Sequence, residues 1–187
     1  MDKIKLFTYI IIAEIFIVGT LLIILFVNSG LNYFHNDKII VSNTDIIYSK
    51  DKSVPFTGKM QDTLDNKLIV EFNVVNGIKQ GEFSLLTLDG SFAVQGYMNK
   101  NKNDGMWKYY YKSGQLECIG NFDNDEPSGK WSWFYHNGSK RCEGLYINGK
   151  PDGQWIKYDE EGNTCAIIKY LAGEIISFVQ IDILAKV

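Results

Sequence analysis

The chain is short of what catalysis and nucleic-acid binding need. Of its 187 residues only His35 and His136 are histidines, one beside a long apolar segment and one in an expected turn. Nucleophilic catalysis needs a nucleophile, a base and an orienting group, and neither histidine is placed to be that base. No run of Lys and Arg is long enough to neutralise a series of phosphates, so nucleic acid is not an expected partner. No glycine-rich loop ends in the Lys-Ser/Thr that a phosphate cradle requires. Asp123, Asn124, Asp125 and Glu126 bring four oxygen-bearing side chains together. Pro127 and the missing acid at the twelfth position exclude an EF-hand loop there, so neither metal nor cofactor is expected. Between Gly77 and Gly162 no stretch free of glycine is longer than eight residues, too short for a stable helix, since each glycine costs about 1 kcal/mol in one.

What is present begins with an apolar run from Leu6 to Val27, interrupted by the single charge Glu14. A hydrocarbon core of about 30 Å takes about 20 apolar residues to cross, so residues 6–27 read as a transmembrane helix or uncleaved signal anchor. Lys3 and Lys5 precede it and only Lys38 follows closely. The positive-inside rule therefore puts residues 1–5 in the cytoplasm and the rest of a single-pass protein outside it. The competing reading is a cleaved signal peptide ending near Val27-Asn28-Ser29. Residues 28–53 read as a linker with a lead-in strand. After the first 35 residues, 17 basic and 20 acidic side chains are interspersed.

From residue 54 the chain repeats. Gly81, Gly105, Gly129 and Gly153 stand 24 residues apart, each followed two places later by Phe83, Trp107, Trp131 or Trp155. Gly90, Gly114, Gly138 and Gly162 keep the same period, as do Gly96, Gly120 and Gly144. Pro55, Pro127 and Pro151, the only prolines, share one phase. Each unit has an aromatic, β-favouring segment, a tight-turn pair such as Asn137-Gly138, an alternating segment, and a second turn such as Asn148-Gly149. The pattern predicts an all-β repeat fold: an elongated, twisted antiparallel meander of about five 24-residue hairpins over 54–173, preceded by one transmembrane helix and closed by a cap at 174–187. Nearly all the glycines are expected to serve turns, led by Gly90, Gly114, Gly138 and Gly162.

These residues carry a resemblance. Gly129-Lys-Trp131-Ser-Trp-Phe134-Tyr135-His-Asn137-Gly138 and Gly144-Leu-Tyr146-Ile-Asn148-Gly149-Lys150-Pro151-Asp152-Gly153 resemble bacterial MORN-type repeats, in the variant form found in YwqK-type antitoxin proteins. The resemblance runs from about Val54 to Gly173; its Asn-Gly-Lys step is replaced at Lys100-Asn101-Lys102. It implies a single-layer, hairpin-by-hairpin sheet that contacts proteins or membranes and has no catalytic residues.

Two expectations concern particular side chains. Cys118 and Cys142 are repeat equivalents, so two strand spacings of roughly 9.5 Å separate them and they should be free thiols. Of the 18 aromatic residues between Val54 and Gly173, Phe83, Trp107, Trp131 and Trp155 are the expected core. Tyr109, Tyr111, Trp133 and Tyr135 are the expected partly exposed stripe and the candidate interaction surface. The functional expectation is a membrane-anchored, non-enzymatic module that binds another protein, with a toxin as one candidate partner in an antitoxin or immunity role. The alternative is an envelope carbohydrate binder that stacks sugars on its aromatic residues.

Overall fold

The computed structural model describes residues 39–41, 46–49, 54–64 and 66–181. The expected membrane segment at 6–27 lies outside them, as do residues 182–187 of the expected cap. The described residues form strands and no helix. Two short strands, β1 (Ile39–Val41) and β2 (Ile47–Ser49), pair with each other. The main sheet starts with β3 (Gly58–Leu64), β4 (Leu68–Val75), β5 (Ile78–Thr87) and β6 (Phe92–Asn99). It continues through β7 (Lys102–Asn103), β8 (Gly105–Tyr110), β9 (Leu116–Asp123) and β10 (Glu126–Phe134). It ends with β11 (Lys140–Ile147), β12 (Lys150–Tyr158), β13 (Thr164–Leu171) and β14 (Glu174–Gln180). Strand order follows chain order and every pairing is antiparallel, with the two-residue β7 attached to β6.

The 24-residue period sets both strand classes. One class starts at Leu68, Phe92, Leu116, Lys140 and Thr164; the other starts at Ile78, Lys102, Glu126, Lys150 and Glu174. The two classes meet at Asn76-Gly77, Lys100-Asn101, Asn124-Asp125, Asn148-Gly149 and Ala172-Gly173, where both residues have positive φ. That geometry suits two-residue hairpin turns, and Asn, Asp and Gly adopt it most easily.

Each of these turns is tied to the unit before it. Asn101 N–H donates to Lys79 O and Asp125 N–H to Asn103 O; Gly149 and Gly173 donate in the same way to Pro127 O and Pro151 O. Where the earlier unit has its own N–H, the turn side chain accepts it. Lys79 N–H donates to Asn101 Oδ1 at 2.7 Å and Asn103 N–H to Asp125 Oδ1 at 2.6 Å. Where the earlier unit has proline, which offers no N–H, the turn has glycine, which offers no acceptor.

Within the lead-in, β2 pairs with β1, and Ile47 docks at the Asn76-Gly77 turn through Ile47 N–H to Gly77 O. Ile47 is fully buried there. Residues from 174 do not all stand outside the repeat, because β14 begins in phase and pairs with β13. The glycines are not nearly all turn residues either. Gly96, Gly120 and Gly144 lie inside strands β6, β9 and β11. Gly81, Gly129 and Gly153 also lie within strands, at positive φ next to register shifts of the ladder, as glycine does in a β-bulge.

Candidate interaction surface

One face of the sheet is built on a row that runs across nearly every strand. It passes through Met60, Phe72, Phe83, Gly96, Trp107, Gly120, Trp131, Gly144, Trp155, Ile168 and Phe178. In its interior, large and absent side chains alternate. A Cβ on Gly120 would sit 2.0 Å from Trp131 Cδ2, and one on Gly144 2.1 Å from Trp155 Cδ2. Each indole therefore lies flat against a neighbouring strand, which only glycine permits. Trp107, Trp131 and Trp155 each donate Nε1–H to the carbonyl just after that glycine, at Tyr97, Asn121 and Leu145, over 3.1 to 3.2 Å. Phe122, Tyr146 and Tyr170 stand edge-on between or beside the indoles, with centroids 5.1 to 5.9 Å apart. Phe83, Trp107, Trp131 and Trp155 are all buried. With no second layer among the described residues, the face is covered by its own rings.

The expected aromatic stripe divides. Tyr109 and Trp133 are 7% and 4% exposed, so they are core and not contact surface. The reason is strand parity: positions 107 and 109, or 131 and 133, point to the same face. They occupy a second alternating row, Tyr109, Cys118, Trp133, Cys142, Lys157 and Ala166, in which the cysteines are the small members. Cys118 and Cys142 are free and buried, and burial pushes the Cys142 thiol up to about 12, leaving it unreactive at neutral pH. Tyr111 and Tyr135 are half-buried, but their hydroxyls are committed to the next unit. Tyr111 donates to Phe134 O at 2.6 Å and Tyr135 to Tyr158 O at 2.8 Å; His136 stacks on Tyr111 at 3.7 Å. Gly90, Gly114, Gly138 and Gly162 form the turns at this end, at φ of 84 to 88°.

The opposite face has its own row: Gln61, Glu71, Ser84, Gln95, Lys108, Ile119, Ser132, Glu143, Ile156, Ile167 and Val179. It is mostly polar up to Glu143 and apolar from there to the last strand. Glu143 marks the change. Burial pushes its carboxyl up, but hydrogen bonds from Lys130, Lys140 and Tyr158 outweigh that and bring it down to about 2. Beyond it, Leu145, Ile147, Leu171 and Val179 are 40 to 62% exposed on this outer face. Sequence reasoning missed this patch because it sought aromatic residues, whereas the signal was aliphatic residues at outward positions.

Residues 103–124 and 127–148 match the family model described as the MORN repeat variant. Residues 103–148 thus carry two MORN-type repeats. The two matched stretches run between hairpin turns at 100–101, 124–125 and 148–149, so the sequence unit and the structural hairpin coincide. The flanking hairpins share the same marks, with Phe83 and Trp155 in the indole row. MORN repeats generally mediate contacts with proteins or membranes. No curated protein matches the chain. Among solved structures, the crystal structure of accessory secretory protein 1, 2 and 3 in Streptococcus pneumoniae contains a chain 17% identical over 66% of this one, with a TM-score of 0.32. The match spans 22% of that chain's length, a likeness too slight to bear on fold or function.

Proposed function

We propose that the MORN-type sheet is a non-catalytic docking module that binds a partner protein on the outer face of its last hairpins, and that residues 6–27 anchor it to a membrane. The observation behind this reading is the grouping of exposed Leu145, Ile147, Leu171 and Val179 around Ile156 and Ile167 on the outer face of the last hairpins, a larger apolar group than exposed Val75, Tyr97 and Met106 earlier on that face. Apolar residues grouped on one outward face mark contact surfaces, whereas scattered ones need no explanation. An antitoxin or immunity role is the specific form proposed, with the sheet outside the cytoplasm. The carbohydrate alternative has less support, since Tyr109 and Trp133, two of its four aromatic residues, are buried.

The test is co-expression with the product of the neighbouring gene. That product is expected to be toxic alone and harmless with the full-length chain, and Leu145→Lys with Leu171→Glu is expected to restore toxicity. A neighbour that is harmless by itself would remove the antitoxin role. Neutralisation unchanged by the double variant would remove the outer face as the docking site.

A further inference from the structure

Asparagine followed by glycine is open to spontaneous ring closure. The glycine nitrogen attacks the Asn Cγ, the Cγ–Nδ2 bond breaks and ammonia leaves; water then opens the cyclic imide to Asp or isoaspartate. Glycine hinders the attack least because it has no Cβ. The chain has three such pairs, Asn76-Gly77, Asn137-Gly138 and Asn148-Gly149. Closure needs an amide free to swing onto the glycine nitrogen, a turn that loosens enough to release the glycine N–H, and water.

The three turns differ in these respects. Gly77 is buried, its N–H donates to Phe56 O at 2.7 Å, and Asn76 N–H donates to Thr57 Oγ1 at 2.8 Å. Asn137 has its amide held at both ends: Oδ1 accepts from Ser139 N–H at 2.9 Å and Ser139 Oγ–H at 2.7 Å, and Nδ2 donates to Glu160 O at 3.1 Å. Asn148 is exposed, and its amide makes no hydrogen bond among the described residues. Gly149 N–H donates to Pro127 O at 3.2 Å, the longest of the five bonds from a turn glycine or its equivalent to the unit before it. The turns at 76–77, 100–101, 124–125 and 172–173 each have a second bond of this kind, through the side chains of Thr57, Asn101, Asp125 and Asp152. The turn at 148–149 has none among the described residues. Pro127 supplies no N–H, and Ser128 stands where Asp152 accepts Ala172 N–H one unit later. We propose that Asn148-Gly149 is the site at which this chain deamidates. Isoaspartate there adds an atom to the main chain of a two-residue turn. Either product places a carboxylate beside exposed Ile147 and close to Glu126, whose side chain packs on Gly149. Loss of partner docking as the protein ages rests on the outer-face reading above; the modification itself does not.

The experiment ages the full-length chain in detergent at neutral pH and follows Asn, Asp and isoaspartate at the three positions by peptide mass mapping. Residue 148 is expected to convert at least about fivefold faster than residue 76 or 137, the worth of one missing hydrogen bond. In urea the three rates are expected to fall within about threefold of one another, because every pair is then in an open chain. Ser128→Asp gives Asn148 N–H the acceptor that Asp152 gives Ala172, and is expected to slow residue 148 at least about threefold with residue 137 unchanged. Cys118 and Cys142 still shielded from thiol reagents are the sign of an intact fold in that variant. Equal rates in the folded chain, faster conversion at 76 or 137, or no conversion at 148 where the urea sample converts would each overturn the proposal. So would a ranking that survives urea, or a rate at 148 unmoved by Ser128→Asp in the intact fold.

Discussion

At its N-terminal end the sheet places Met60 in the buried row at 1% exposure, shows solvent a strand of Lys, Gln and Thr, and packs fully buried Ile47 at the Asn76-Gly77 turn. At its C-terminal end Phe178 occupies the corresponding place half-uncovered, beside exposed Ile176 and Val179. Both end residues are displaced by one from the 24-residue phase: Met60 lies 23 before Phe83 and Phe178 lies 23 after Trp155. Both ends also lose the glycine of the indole row, to Phe72 on one side and Ile168 on the other, because no indole lies over those positions. The two ends thus make the same structural departures and differ in polarity. A repeat sheet has to stop somewhere, and among the described residues one stop is polar and the other apolar.

The largest test of that difference is truncation of the two equivalent core residues. Met60→Ala is expected to cost about 3 kcal/mol, as for a fully buried methionine, and Phe178→Ala about 2 kcal/mol despite its larger ring, because part of its surface is already wet. Urea denaturation measures both, and equal losses would erase the contrast between the ends. Next comes the interior that both ends depart from. Gly120→Ala is expected to cost about 2.5 kcal/mol, because its methyl needs the space of the Trp131 ring. Thermal unfolding together with the tryptophan fluorescence shift reads that loss, and a neutral result would show that glycine serves no packing purpose in the row.

The smallest effect concerns the outer-face boundary between the polar part and the apolar end. Glu143 has its carboxyl lowered from 4.5 to about 2 by Lys130, Lys140 and Tyr158. A group with a lowered folded value stabilises above its unfolded value and loses that contribution as pH falls through the folded one. The stability lead of the wild type over Glu143→Gln is therefore expected in full at pH 6, shrinking below about pH 4.5 and gone near pH 2. Denaturation midpoints across that range decide it, and a lead that does not change with pH would separate Glu143 from its lysines.

Much of this was legible in advance. Strand starts, turn pairs and the core positions of Phe83 and the tryptophans follow from a period of 24 that no helix could accommodate. Tyr109 and Trp133 were misplaced although their parity with Trp107 and Trp131 already assigned the face. Gly96, Gly120 and Gly144 looked like turn residues because the period shows that a glycine recurs, not what lies on top of it. The outer patch was hidden for a related reason. Leu145 and Leu171 read as ordinary β-formers until their strands were assigned an outward phase.

The sequence by itself determined the repeat length, the antiparallel order and the turns, because these depend on local backbone preference and on spacing along one chain. Only the tertiary structure decided which glycine lies beneath which indole, which prolines face which turn glycines, and which edge is left open among the described residues. The first two depend on contacts between residues 11 and 22 positions apart, where one strand's side chain or turn fits against another strand's backbone.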